Sequence, residues 1–365
     1  MAPLTRRRRS KAKGIQFTVM VVGPSGTGRT TFINTLCESQ VLPHKDHSKP
    51  QSLSVENGIE IKPVNVDIDE DGLRINLTVV DTPGFGDNID NTAAFQQIVN
   101  YLERQYDDIL AEQSRIKRNP KFKDNRVHVL LYFIQPGGHA LREIDIELMR
   151  KLSHRVNVIP VIGKADSLTV GELKGFKKRI MEDIEHYDIP IYNFPYDIEE
   201  DDEETVAENL ELKSMLPFAV IGSEEEVKLD GDSVRARVYP WGIAEVENPD
   251  HSDFSRLRGA ILGTHLHDLK SLTEDLLYEG YRTEKLSRSV YSQADAPELS
   301  LSLSPEDISG HSYRLKEEQI RKEEEKLREI EIRVQRDINE KRQELLAKEE
   351  TLRNLEVRLK VSQGI

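Results

Sequence analysis

The nine residues Gly23-Pro-Ser-Gly-Thr-Gly-Arg-Thr-Thr31 constrain this chain more than any others. They follow Gln16-Phe-Thr-Val-Met-Val-Val22, a short β-branched run, and lead into Thr31-Phe-Ile-Asn-Thr-Leu-Cys37, which can start a helix. A strand that turns through glycines into a helix N-terminus is an anion cradle. Gly23, Gly26 and Gly28 let backbone N–H groups converge on phosphate oxygens, with Pro24, Ser25 and Thr27 between them. The helix start at Thr30 and Thr31 adds positive potential, and the Thr30 hydroxyl is placed to ligate Mg²⁺. The loop departs from the usual pattern at one position: Arg29 stands where lysine is expected.

Two further motifs follow in the order a nucleotide site requires. Asp81-Thr-Pro-Gly84 closes the alternating, then continuous, apolar run Leu73-Arg-Ile-Asn-Leu-Thr-Val-Val80. Asp81 can hold the Mg²⁺ shell and the Gly84 N–H can approach a γ-phosphate. Gly163-Lys-Ala-Asp166 follows a second buried strand, Val156-Asn-Val-Ile-Pro-Val-Ile162. Its spacing places the Asp166 carboxylate to accept two hydrogen bonds from a guanine edge, a donor pair that adenine lacks. The expected ligand is therefore GTP or GDP. Taken singly, each motif also reads as ordinary turn or cap chemistry, the last as a cap for a helix starting near Thr169. Order and residues together favour the site.

Binding and hydrolysis separate at this point. Lysine is a compact charge between β- and γ-phosphates, whereas the guanidinium of Arg29 is larger, planar and forked. It can neutralise phosphate without reproducing transition-state geometry. In addition, no threonine occurs between Thr35 and Thr78, the region where switching GTPases carry a γ-phosphate sensor.

Beyond these motifs lies Arg235-Ala-Arg-Val-Tyr-Pro-Trp-Gly-Ile-Ala-Glu-Val-Glu-Asn248. With the glycine loop, Asp81-Thr-Pro-Gly-Phe-Gly-Asp87 and Gly163-Lys-Ala-Asp166, this stretch resembles the septins over about residues 15–288. The resemblance implies a Ras-like P-loop GTPase domain, α/β with a mostly parallel doubly wound sheet of six strands, and septin-specific C-terminal additions over about 235–288. It implies filaments of different septin subunits that pack alternately across the nucleotide and through the terminal helices. Lys164, Ala165, Asp166, Gly222 and Arg237 match septin residues at the guanine base. His139 matches a histidine reaching the neighbour's nucleotide, and Trp241 one at the nucleotide-side interface. Without the resemblance, His139 reads as a solvated loop residue and Trp241 as a core or corner aromatic. The switch threonine of most septins corresponds to Asn65, just before a strand at Val66–Asp69. Together with Arg29, this resembles the non-hydrolysing fungal septins at the ends of rods. It implies a scaffold for cytokinesis, septum formation and polarity at the cell cortex, the alternative being a slow GTPase that times assembly. A P-loop nucleotide kinase is a third reading, disfavoured by Asp166.

The 365 residues accommodate one α/β domain of about 270 to 300 residues plus an extension. One cysteine, Cys37, excludes an intramolecular disulfide framework, and no apolar run approaches a membrane span, so the expected compartment is the cytosol. A net charge of −14 argues against general nucleic-acid binding. The basic arm, residues 1–14, concentrates Arg6, Arg7, Arg8, Arg9, Lys11 and Lys13. Such a cluster attracts anionic lipid at about 1 kcal/mol per charge, and septins carry a phosphoinositide-binding element here; a solvated tail or import signal is the alternative. The acidic stretch 197–208 reads as a surface loop. Residues 289–312 read as a Ser- and Pro-rich linker. Residues 313–361 read as a coiled coil, with Tyr313, Ile320, Leu327, Val334 and Leu355 at d and Ile338, Leu345, Leu352 and Leu359 at a. Glu317, Glu324, Glu331, Lys341 and Lys348 interrupt that seam, so homodimers would be weak and a single solvated helix is the alternative.

Overall fold

The structure is a computed structural model describing residues 14–43, 61–70, 72–82, 91–117, 119–120, 122–137, 139–197, 201–229 and 232–294, with Lys62 and 288–294 given as backbone only. The basic arm through Lys13, Gly84, residues 295–312 and the coiled-coil segment lie outside the described residues.

The apolar run ahead of the glycine loop forms β1 (Ile15–Val22), buried from Phe17 onward. It pairs in parallel with β3 (Leu73–Asp81) on one side and β4 (Val129–Ile134) on the other. Strands covered on both faces must be apolar on both, which is why β1 and β4 are nearly continuous apolar runs, whereas β3 alternates until Val79 and Val80. Parallel pairing continues to β5 (Asn157–Gly163) and the short β6 (Phe218–Val220). The outer strand β2 (Lys62–Glu70) runs antiparallel to β3, giving the order β2-β3-β1-β4-β5-β6. Pro160 is tolerated inside β5 because its nitrogen lies on the edge where Val158 O already accepts from Tyr192 N, and β6 begins only opposite Val161.

Successive β1 side chains divide between two cores. Phe17, Val19 and Val21 join Phe32, Ile33 and Leu36 of α1 (Arg29–Leu36) on one face. Met20 and Val22 join Ile98 and Leu102 of α2 (Thr92–Gln113), Leu148 and Leu152 of α3 (Glu143–Ser153), and Phe176 and Ile180 of α4 (Val170–His186) on the other. At the base of the sheet, buried His128 stacks on Phe17 with ring centroids 5.2 Å apart, and its Nδ1 accepts from Thr18 N at 2.9 Å. The expected helix start at Thr169 is borne out: Thr169 is the N-cap of α4 and forms a capping box with Glu172.

The acidic stretch differs from expectation. Residues from Glu203 onward form the first turns of α5 (Glu203–Met215), where carboxylates favour the positive helix end. After β6, a separate antiparallel sheet forms from β7 (Glu226–Leu229), β8 (Asp232–Tyr239) and β9 (Gly242–Glu245). Helices α6 (Phe254–Gly259) and α7 (Leu266–Leu272) follow, joined by a π-type segment, Ala260–Thr264. Leu257, Ile261, Leu266 and Leu269 are buried in the core of β1 and α1, so this C-terminal element completes the domain rather than decorating it. Asp253 fastens it: one carboxylate oxygen accepts from Lys177 Nζ and from Ala219 N, each at 2.7 Å. A second π-type segment, Thr273–Tyr278, leads into α8 (Glu279–Ala294), which continues past the expected boundary at 288. Tyr278 and Tyr281 pack on Tyr106 of α2, and Arg155 reaches Glu103 and Glu284 at 3.0 and 2.8 Å. Among the described residues no helix is long and apolar enough to cross a membrane.

Candidate functional site

The carboxyl ends of β1, β3, β4 and β5 lie on one edge of the sheet, since Val21 pairs with Asp81, Val22 with Tyr132 and Ile134 with Ile162. In open α/β sheets this edge carries the ligand crevice. The glycine loop occupies it. Gly26 and Gly28 have φ of 80° and 88°, the left-handed region that side chains resist. Gly28 is also the N-cap of α1, so no side chain there competes for the N–H groups of the first helical turn. Thr27 is buried and its Oγ1 donates to Pro24 O at 2.9 Å, which stiffens the loop from within.

The segment Gly163-Lys-Ala-Asp166 is pressed against that loop. A Cβ on Gly163 would stand 2.2 Å from Thr27 O and 3.0 Å from Phe133 Cδ1, so only glycine permits this approach. Lys164, at φ 51°, lays its stem along Gly28, its Cγ 3.6 Å from where a Cβ would sit. The Asp166 side chain is 5% exposed, with its Oδ2 2.9 Å from Arg237 Nη1. Tyr239 OH also donates to Asp166. Burial first, and the hydrogen bond to Asp166 second, push the Tyr239 phenol up to about 12. Arg237 and Tyr239 are two residues apart on β8 and so share one face of the strand. Trp241 stacks on Tyr239, centroids 5.1 Å apart and planes 8° apart, and is itself 82% exposed.

Gly222 closes the pocket beside α1, where an added Cβ would meet Phe32 N at 3.1 Å. A cavity of about 400 Å³ results, lined by Thr27, Gly28 and Thr31 of the loop, by Lys164, Gly222 and Ser223, and by Arg237 and Tyr239, with Phe32 and Phe133 beneath. The volume lies in the range of small-ligand sites. Ser223 Oγ donates to Ala236 O at 2.8 Å and Arg235 Nη1 to Thr35 O at 2.9 Å, so the three-stranded sheet is tied to α1 and to the pocket wall.

Arg29 adopts a pose its position in the motif does not announce. The side chain is 7% exposed, and Nη1 donates to Thr82 O at 2.6 Å and approaches Thr82 Oγ1 at 3.3 Å and Asp81 Oδ1 at 3.9 Å. Burial pulls its pKa below the usual arginine range, against the opposing pull of Asp81. Asp81, expected with Thr30 to hold Mg²⁺, therefore stands 3.9 Å from a cation the chain itself supplies, and a divalent ion does not fit the Asp81 side of this arrangement. Among the described residues no cluster of three or more His, Cys, Asp or Glu is arranged to hold a metal.

Of the expected site residues, Thr27, Gly28, Thr31, Lys164, Gly222 and Arg237 line one crevice, and Asp166 stands beside it, bonded to Arg237; Ala165 is buried against Ala219 and Ile221, and Arg29 points to Thr82 and Asp81. His139 stays apart: it is exposed, and its carbonyl accepts from Arg179. The exposure of Trp241 removes the core-aromatic alternative. Asn65 lies inside β2 rather than before a strand, with its Oδ1 accepting from Thr78 Oγ1 at 2.7 Å. Sequence reasoning passed over Tyr239 and Gly163. The signal for Tyr239 was its i+2 spacing from Arg237; that for Gly163 was its place at a strand end facing a second glycine-rich turn.

This fold and site define a Ras-type P-loop α/β domain. Comparison with known proteins narrows the class. The septin family model matches residues 13–295. The chain is 50% identical over 342 residues to septin homolog spn3 of Schizosaccharomyces pombe, covering 93% of this chain and 89% of that protein. It is 51% identical over 302 residues to cell division control protein 11 of Saccharomyces cerevisiae, covering 80% and 72%. The crystal structure of Cdc11 from Saccharomyces cerevisiae aligns with a TM-score of 0.51 at 42% identity, over 74% of this chain and all of that one. The chain belongs to the septin family.

Proposed function

We propose that this septin binds GTP or GDP in the crevice between the glycine loop and β8, and that the bound nucleotide lies at an interface with a neighbouring septin subunit. Subunits joined in this way form hetero-oligomeric rods and filaments at the cell cortex, where they scaffold cytokinesis, septum formation and polarity. The observation that carries the proposal is the chain Asp166, Tyr239, Trp241: the carboxylate suited to guanine is held by a tyrosine whose ring carries a fully displayed tryptophan. A carboxylate suited to guanine, in the turn after β5, is thus linked to a surface aromatic through the end of β8. Aromatic rings exposed beside a ligand are typical anchors of protein interfaces.

Little or no hydrolysis is expected. Arg29 Nη1 is bonded to Thr82 O and stands 3.9 Å from Asp81, and no threonine occurs between Thr35 and Thr78 to sense a γ-phosphate. A place at the end of a rod, and contact of the basic arm with phosphoinositide membranes, extend the proposal; the arm's concentration of positive charge supports the latter.

The test is to purify the chain with its septin partners, extract and identify the bound nucleotide, and follow phosphate release over hours. Guanine nucleotide retained without phosphate release agrees with the scaffold. Steady release abolished by Arg29→Ala would replace it with the slow GTPase. A chain empty of nucleotide that still assembles into rods would refute the proposal.

A further inference from the structure

We infer that Arg29 takes the place of the divalent cation in this site, so that the nucleotide is held without Mg²⁺. The inference rests on the nucleotide reading above and specifies its chemistry. Mg²⁺ demands near-octahedral coordination by oxygen at about 2.0–2.1 Å and usually uses one or two carboxylates together with substrate phosphates. The carboxylate available for this is Asp81, at the end of β3. Its Oδ1 already faces the Arg29 guanidinium at 3.9 Å.

That guanidinium is not free to step aside. Nη1 donates to Thr82 O at 2.6 Å, and Thr82 is fully buried, with its own Oγ1 bonded to Val21 O at 2.9 Å. Arg29, the first residue of α1, is therefore tied to the end of β3 directly and to the end of β1 through Thr82. Swinging it out would leave the Thr82 carbonyl without this donor and move a guanidinium out of a charge-assisted bond. Bringing a doubly charged ion onto Asp81 while Arg29 stays would place like charges about 4 Å apart in a site where water screens them weakly. Lysine in the same slot would behave differently. It is a compact, strongly hydrated point charge on a flexible stem, without the planar fork that fixes Arg29. The phosphates of a bound nucleotide would instead be neutralised by the loop's N–H groups, the α1 N-terminus and Lys164, which lies along Gly28.

The test titrates the purified full-length chain, stripped of nucleotide, with a fluorescent N-methylanthraniloyl GDP, once with excess EDTA and once with excess Mg²⁺. Dissociation constants agreeing within about threefold are expected. Binding weakened about tenfold or more by EDTA overturns the inference while leaving the nucleotide reading intact. Absence of binding in both buffers refutes the nucleotide reading, and the inference with it. Arg29→Lys should release Asp81 to the metal and make binding at least about tenfold dependent on Mg²⁺. A well-folded Arg29→Lys chain that ignores EDTA as the parent does would overturn the assignment to Arg29.

Discussion

Gly163→Ala is the substitution that most directly probes whether the base motif positions the phosphate loop. The added methyl would stand 2.2 Å from Thr27 O and 3.0 Å from Phe133 Cδ1. A carbon to carbonyl-oxygen contact needs about 3.3 Å, so the two backbones must part by roughly 1 Å. Neither partner yields easily: Thr27 is fixed by its bond to Pro24 O, and Phe133 lies in the buried strand β4. Overpacking of this kind costs about 1–3 kcal/mol. At about 2–4 °C per kcal/mol for a domain near this size, 2 kcal/mol lowers Tm by about 4–8 °C. Moving loop N–H groups by that distance weakens charge-assisted hydrogen bonds that contribute about 1.5–3 kcal/mol each, so nucleotide affinity should fall at least about tenfold. Both quantities are accessible on the full-length chain by thermal unfolding and fluorescent GDP titration. Gly171→Ala is the control. It lies in the first turn of α4 with nothing within 4 Å of the added Cβ, so Tm should hold or rise slightly. A Gly163→Ala chain with unchanged affinity would show that the approach of β5 to the loop does not hold the loop in its binding shape.

Asp166→Asn replaces a double acceptor with one acceptor and one donor; GDP affinity should fall at least about tenfold and xanthosine diphosphate should gain, as read by competition titration. Trp241→Ala removes a side chain 82% exposed in the single chain, so Tm should change by no more than surface substitutions usually allow, about 0.5 kcal/mol equivalent, while pairing with septin partners is lost in co-purification. Buried His128 has its pKa lowered to about 4, chiefly by burial against the pull of Asp124. Its stabilising share is complete above the unfolded-state value near 6.5, is lost as pH falls toward 4, and amounts to about 3 kcal/mol. His128→Asn, which keeps an acceptor for Thr18 N, should flatten that part of the urea midpoint against pH curve. Replacing Arg6 to Arg9 with alanine should weaken binding to phosphoinositide vesicles, by about 1 kcal/mol per charge removed; unchanged binding would refute the membrane role.

The parallel sheet was legible because β1 and β5 are buried on both faces and β1, β3 and β5 end at or just before Gly23, Asp81 and Gly163, where glycine or a turn must follow. The helix at Thr169 was legible because a capping box is a local pattern. The acidic stretch was misread for the same reason in reverse: charge alone cannot separate a solvated loop from a helix's first turns, which also favour carboxylates. The pose of Arg29 could not be read at all. It depends on Thr82, which lies 53 positions away and comes into reach only because Val21 pairs with Asp81. Tyr239 and Asp166 likewise meet across 73 positions, where the end of β8 docks on the turn after β5.

That docking makes the C-terminal element part of the site rather than an appendage to it. The three-stranded sheet buries only Ala236 fully along β8 and has little core of its own. It is held by Ser223 to Ala236, by Arg235 to Thr35 O and by Arg237 to Asp166. Two of these three links end in the loop after β6 or in Asp166, beside the crevice. Tyr239 joins the exposed Trp241 to Asp166 by a ring stack and a hydrogen bond, the contacts through which the two would be coupled. Coupling between two sites is reciprocal in free energy, so a neighbour that binds better to the nucleotide-loaded chain must tighten the nucleotide by the same factor. Measured on the full-length chain and a septin partner, the ratio of GDP affinities with and without partner should equal the ratio of partner affinities with and without GDP. Trp241→Ala should bring both ratios toward one.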